Sequence, residues 1–256
     1  MIDSRAIIHP SAQLDRDVEV GPFTVIGPDV EIGAGTKIHS HAVIKGPTRI
    51  GKNNTIFQFA SVGEDCQDKK YAGEPTRLEI GDNNTIREGC TIHRGTVQDQ
   101  SLTKIGSNNL LMAYVHVAHD CMIGDNCIFA NNTAIAGHVI VGDGVILGGL
   151  TTVHQFCQIG AYSMSAAHSA IFKDVPAFIM VSGNPAEAHG MNFEGMRRRG
   201  WSDDVIRSLR QAYKVIYRQG LKTSQAVEVL QGMTSETRQV QLLVESLQSS
   251  TRGITR

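Results

Sequence analysis

Four histidines, His116, His119, His138 and His154, crowd into one short stretch of the chain, and His119 is followed directly by the carboxylate of Asp120. A neutral imidazole near pH 7 can take a proton from an attacking hydroxyl or amine, and a neighbouring carboxylate favours the imidazolium that results. Singly, each histidine reads as a surface or satisfied polar residue. A spacing changes that reading. Gly137 lies eighteen residues after His119, His138 eighteen after Asp120, and Gln155 eighteen after Gly137.

Eighteen is meaningful because of the elements that must position these groups. An aliphatic residue returns every sixth position through Ile2, Ile8, Leu14, Val20, Ile26, Ile32, Ile38, Ile44, Ile50, Ile56 and Val62. The frame resumes at Ile80, Ile86 and Ile92, shifts by one residue, then runs from Ile105 to Ile159 with Ile171 in phase. A helix has a period of 3.6 and a strand a period of 2, so neither explains it. It is the hexapeptide repeat of a parallel β-helix, in which three hexads close one triangular coil. Stacked positions then lie about 4.8 Å apart. Gly137 falls beside His119, His138 beside Asp120, and Gln155 two coils from His119, on one ridge. Neighbours along a strand point to opposite faces, so adjacency alone does not give a His119–Asp120 hydrogen bond.

A second register supports the first. Small residues follow many of the aliphatics by four positions, among them Cys90, Cys121, Cys127 and Cys157, which read as buried small side chains rather than zinc ligands or disulfides. Cys66 stays undecided. Glycine often follows the aliphatic directly, as at Gly33, Gly51, Gly81, Gly106 and Gly124, where a tight corner is expected to need backbone freedom. Two stretches break the rule. Residues 66–77 carry Asp68 and Glu74 where aliphatics belong and must leave the coil; a shorter excursion covers 96–102. Each is either a solvated connector or a functional loop.

The chain is therefore expected to be mainly β, with a coil over 1–175, a transition over 176–190 marked by Val175-Pro176 and Gly183-Asn184-Pro185, and a small α-helical domain over 191–256. Ser202 should cap a helix to about 219, Thr223 a second, and Val240 to Leu247 should lie on a third. A formal net charge of -1 does not advertise nucleic acid or an anionic membrane as partner. The N-terminus enters the repeat with no secretion signal, and no transmembrane run appears, so a cytoplasmic location is expected.

The loop Gln67 to Arg77, the segments Thr91 to Thr96, His116 to Cys121, Ala136-Gly137-His138, His154-Gln155-Phe156, and Asn192 to Gly200 together resemble the UDP-N-acetylglucosamine acyltransferases of lipid A biosynthesis, from the first coil to the last residues. The resemblance implies a left-handed coil, whereas parallel crossovers in general are right-handed. It also implies a homotrimer and transfer of an (R)-3-hydroxyacyl group from acyl carrier protein to the glucosamine 3-position of UDP-N-acetylglucosamine. No cofactor or metal is needed for that transfer. His119 matches the family's base and the Gly137 amide its oxyanion donor, with Asp120 beside them. Asp68, Lys70, His93, His116, His138, His154 and Gln155 match sugar and acyl contacts, and Asn192, Glu194, Arg198 and Arg199 the nucleotide end. Ala167, followed by His168, matches the residue that limits acyl length, and a methyl there points to chains of 10 to 12 carbons. Arg207, Arg210, Lys214 and Arg218 extend a basic stripe suited to docking an acidic carrier protein.

Other classes remain open at this point. A γ-class carbonic anhydrase is also a histidine-bearing trimeric hexapeptide coil, with zinc held by three histidines. The related N-acyltransferase would need a globular domain ahead of the coil, and a non-catalytic scaffold would not need His119. The residues do not decide between a 3-hydroxyl and a 3-amino acceptor.

Overall fold

The computed structural model describes residues 1–233 and 237–256. Hexads become strands of two to four residues, and three sheets of nine, eight and ten described strands, parallel but for the last strand of the ten, form the three sides of a triangular coil. On the side that carries the histidines, Ile8, Ile26, Ile44, Val62, Ile92, Val117, Ile135, Val153 and Ile171 stack in register. Beyond Ile8 they are fully or almost fully buried. Each such side chain is worth about 1.5–3 kcal/mol on burial, so the aliphatic column both sets the register and stabilises it.

Corner geometry differs from the expectation in one respect. Except at Gly63 (φ 79°), the glycines after the aliphatics do not have positive φ; the left-handed backbone falls instead on residues such as Asp120 (φ 58°), His138 (60°) and Phe156 (67°). Gly33, Gly51, Gly81 and Gly106 are needed for close approach: a Cβ on any of them would lie 2.7–2.8 Å from the backbone of the next glycine in the column. Backbone contact between coils, not conformational freedom, excludes a side chain there.

Both excursions are shorter than their sequence boundaries. Arg77 and Leu102 do not belong to the loops but open the strands Arg77–Ile80 and Leu102–Ile105, which pair with each other. The coil also runs past 175. Ile179–Ser182 adds in parallel to Met164–Ser165, and Glu187–Met191 then pairs with it antiparallel. The expected transition is thus largely strand, because Pro176 and Pro185 flank the extended segment without interrupting it. Residues 183–186 cover the strand Ala170–Ile171 through Ala170 N to Gly183 O and Ala186 N to Ala170 O. On the third side Asp174 bridges to Ile254.

Helix α1 (Phe193–Arg198) is capped by Asn192, α2 (Asp203–Tyr217) by Ser202, and α4 (Arg238–Gln248) by Thr237. Helix α3 (Thr223–Gln231) is preceded by Lys222 at its N-cap, so Thr223 is its first residue rather than its cap. Buried Ile206, Leu209 and Ile216 of α2 share the core with Leu230, Leu243 and Leu247. Asp174 ties this part to the coil, accepting from Gln158 N (2.8 Å), Ser250 Oγ (2.7 Å), Thr251 N and Arg252 N (both 3.1 Å). No described helix is long and apolar enough to cross a membrane.

Candidate active site

His119 and Asp120 sit where a strand ends and the coil turns. Because Asp120 takes the left-handed conformation, its side chain does not alternate away from its neighbour, and its Oδ2 lies 2.8 Å from His119 Nδ1. Strand geometry would have kept the two apart; the corner brings them together. Asp120 is buried, which works against its charge, but contacts from His119 and from the Thr96 hydroxyl and amide outweigh that and hold its carboxyl below the usual range. An ionised carboxylate can only accept, so Nδ1 of His119 carries the proton and Nε2 is left as the basic nitrogen.

One coil on, Gly137 lies under the imidazole. A Cβ there would stand 2.5 Å from His119 Cε1 and 2.7 Å from Nε2, so only glycine lets the ring lie flat across the corner. Ala136 N donates to Val153 O and His138 N to His119 O. Between them, the Gly137 N–H has no acceptor among the described residues, which leaves a donor beside the His119 ring.

A cleft of about 410 Å³ opens over this corner, lined by Asp68, His93, His116, His119, Gly137 and Gln155, with Gln67 and the small residues Ala118, Ala134 and Ala136. The loop reaches the cleft because it is anchored. Buried Arg94 donates to Gly63 O, the Asp65 carboxylate and Tyr71 Oη, and Asp68 N donates to the buried Cys66 Sγ at 3.1 Å. His93 Nδ1 donates to Asp65 O at 2.7 Å, and His116 Nδ1 meets Thr91 Oγ1 at 2.7 Å. Burial pushes the His116 imidazole down to about 4, with His93 and His119 adding to the effect, and burial lowers His93 as well.

That shift has a sign. An unfolded histidine binds its proton near 6.5, so between 6.5 and 4 the unfolded chain holds a proton at residue 116 that the folded chain does not. Stability then falls as pH drops through this window and levels off below it. Melting curves from pH 7 to 4 are expected to show His116→Gln losing less than the parent over the same interval; an equal loss would deny the shift. The depressed Asp120 acts only lower, below its ordinary 3.8.

Not every expected residue joins the cleft. His138 stands behind it, its Nδ1 2.8 Å from Asp99 Oδ2, its Nε2 3.8 Å from Asp120 Oδ2, and its ring stacked on Phe156. His154 is exposed and turned to Gln155 O, and Lys70 is exposed on the loop with only its backbone N–H held, by Asp68 Oδ1. Asn192, Glu194, Arg198 and Arg199 come together around a different cleft of about 500 Å³ that shares no lining residue with the first. There Arg198 pairs with Glu194 at 3.3 Å, and Arg199 lies over the Tyr162 ring and reaches Gly144 O. Ala167 and His168 lie exposed at another corner. Arg207, Arg210, Lys214 and Arg218 are exposed along α2, with Arg207 paired to Asp204 and Arg210 over Phe193.

Thr96, Thr103 and Asp99, which pin Asp120 and His138, went unnoticed in the sequence; their only signal was that the excursion at 96–102 falls one coil before the histidines. Ligand atoms of His119, Asp120 and His138 lie within 4.8 Å of one another, close enough for a metal. Each residue nevertheless has a protein partner: both Asp120 oxygens are engaged, as are His119 Nδ1 and His138 Nδ1. The five cysteines are free and buried; burial raises the thiols of Cys121 and Cys127 to about 12 and those of Cys90 and Cys157 to about 11. Burial keeps those four as neutral thiols at neutral pH.

Against known proteins, a family model for UDP N-acetylglucosamine O-acyltransferase, domain 2, matches residues 174–255, and a bacterial transferase hexapeptide model matches 11–46 and 102–137. The acyl-[acyl-carrier-protein]--UDP-N-acetylglucosamine O-acyltransferase of Stutzerimonas stutzeri is 62% identical over 256 residues, covering 100% of this chain and 99% of that protein. Among solved structures, LpxA from Acinetobacter baumannii is 59% identical with a TM-score of 0.98, covering 100% of this chain and 99% of that one. The UDP-N-acetylglucosamine O-acyltransferase of Moraxella catarrhalis is 51% identical, also with a TM-score of 0.98 and the same coverage.

Proposed function

This chain belongs to the UDP-N-acetylglucosamine O-acyltransferase family and is an acyltransferase; from that premise we propose that it moves a 3-hydroxyacyl chain from acyl carrier protein to the 3-position of UDP-N-acetylglucosamine, an early step towards lipid A, with His119 as general base. The observation that carries the reading is the His119 ring laid across Gly137 with Nδ1 committed to Asp120. Nε2 takes the proton of the sugar hydroxyl as its oxygen attacks the thioester carbon. Negative charge then gathers on the former carbonyl oxygen, where the Gly137 N–H can donate to it. When the carbon–sulfur bond breaks, the imidazolium returns the proton to the departing thiolate. Asp68, His93, His116 and Gln155 line the space in which sugar and acyl chain would lie.

The guanidinium groups of Arg198 and Arg199 suit a diphosphate, and the exposed Arg198–Glu194 pair is weak enough to yield to one. That cleft shares no residue with the His119 cleft, and a homotrimer offers a way for both to meet one substrate. An apolar column supports such an assembly: Phe23, Phe59, Tyr114 and Leu150 are exposed on one corner of the coil, with Phe23 and Phe59 flanking His41. Exposed apolar side chains that recur along one corner, with His41, Gly89 and Asn132 between them, suit an interface between copies. His168 N donates to Gly149 O, one coil after Leu150 on the same corner, so the acyl-length positions Ala167 and His168 would lie where copies meet.

Incubating the enzyme with UDP-N-acetylglucosamine and carrier proteins loaded with graded 3-hydroxyacyl chains tests this, with product masses as readout. A 3-O-acyl product, favoured at 10 to 12 carbons, is expected; absence of any acylated sugar would overturn the proposal. The transfer needs no metal, and stoichiometric zinc with activity lost to a chelator would favour the carbonic anhydrase reading instead. Changing Arg210 and Lys214 together to Glu should raise the KM for acyl carrier protein by roughly tenfold and leave that for the sugar nucleotide little changed, an effect that added salt diminishes. Equal changes in both constants would remove the docking role of α2.

A further inference from the structure

Asp120 can serve His119 only if its carboxylate is held in one orientation, because the terminal torsion of aspartate is broad and two-fold. The group that holds it lies on the short excursion one coil earlier. Thr96, almost fully buried, donates its backbone N–H to Asp120 Oδ1 at 2.8 Å and its hydroxyl to Oδ2 at 2.6 Å. Oδ2 is the oxygen that meets His119 Nδ1. The backbone of Asp120 is fixed from the same side, its N–H donating to buried Thr103 Oγ1 at 2.8 Å. Thr96 O in turn accepts from Ser101 N at 3.0 Å, closing the excursion on itself. Thr96 itself does not touch the cleft: it is absent from its lining.

We propose that Thr96 is the positioning residue of the His119–Asp120 pair, gripping both carboxylate oxygens so that Oδ2 holds the imidazole in the tautomer that leaves Nε2 free. The excursion at 96–102 is then part of the catalytic apparatus rather than a connector. The inference rests on His119 being the base.

The test compares Thr96→Val, which keeps the shape and the backbone donor but removes the hydroxyl, with Thr96→Ser, which keeps both donors. Thr96→Val is expected to lower kcat about tenfold while the KM of each substrate stays within twofold, and Thr96→Ser to stay within threefold of the parent. A purely structural role would not divide kcat from KM in this way or be rescued by serine. Thr96→Val with the parent's kcat would overturn the inference, as would a rise in both KM values with kcat unchanged. The ring-nitrogen NMR signals of His119 in the parent give an arm that needs no variant: the neutral ring should carry its proton on Nδ1, and a proton on Nε2 would overturn the inference whether or not Thr96→Val folds. The two readings separate cleanly. Activity surviving in His119→Ala removes the base itself, whereas an inactive His119→Ala beside an unaffected Thr96→Val removes only the role of Thr96.

Discussion

Replacing His119 by alanine should lower turnover by about 10² to 10⁴, the usual worth of a positioned general base, while the KM of both substrates changes little. The fold should survive, because His119 lies at a corner and outside the aliphatic column that sets the register. Removing the imidazole leaves Asp120 with its two Thr96 contacts intact, so the buried carboxylate is not orphaned and a large stability loss is not expected. Steady-state kinetics with both substrates, alongside a melting curve, check this. A variant turning over within threefold of the parent would end the assignment of His119 as the base.

Gly137→Ala should be nearly as damaging for a different reason. The added methyl would stand 2.5 Å from His119 Cε1, a distance at which something must move. The backbone of the corner has no reason to do so, since the equivalent positions one coil either side carry the side chains of His119 and Gln155. The ring must move instead, breaking its 2.8 Å contact with Asp120 or lifting away from the Gly137 amide. Displacement of a base by about 1 Å costs on the order of 10² in rate, and complete loss of its assistance 10² to 10⁴, while alanine keeps the backbone N–H. The expected result is a fall of about 10² to 10³ in kcat with a melting temperature within a few degrees of the parent. Because both changes strike one unit, Gly137→Ala should cost little more once His119 is already alanine. Full additivity in the double variant would place the two residues in separate roles.

Much of this was legible in the sequence. The hexad aliphatics of the left-handed parallel β-helix report directly on burial, and counting by eighteen placed Gly137 on His119 and His138 near Asp120 without any coordinates. Counting failed where contact depends on the conformation of a single residue. The His119–Asp120 bond needs positive φ at Asp120, and that departure from strand alternation leaves no trace in a periodicity. Thr96 was hidden for a related reason: the excursion has no repeat, so its hydroxyl could not be assigned a height or a side. The glycines were read for freedom when their column demands closeness, because a sequence reveals which residue recurs but not what lies opposite it. Pro176 and Pro185 looked like breakers since both flank a strand too short to show a period of its own.

The C-terminal end of the coil is closed against polymerisation. A bare sheet edge invites another chain to add to it. At the C-terminal end every side is closed: the antiparallel strand Glu187–Met191 on one, residues 183–186 on the second, and Asp174 with the chain tail on the third. At the other end the first coil supplies the outer row on all three sides alike, Ile2 beside Val20, Ile7–Ile8 beside Val25–Ile26 and Gln13–Leu14 beside Glu31–Ile32. A fibre built by stacking coils end to end needs an acceptor and a donor edge on every molecule. With its C-terminal edge closed, a copy lacks one of the two, so each acts as a chain stopper, and truncation before residue 174 is the lesion that would expose that edge.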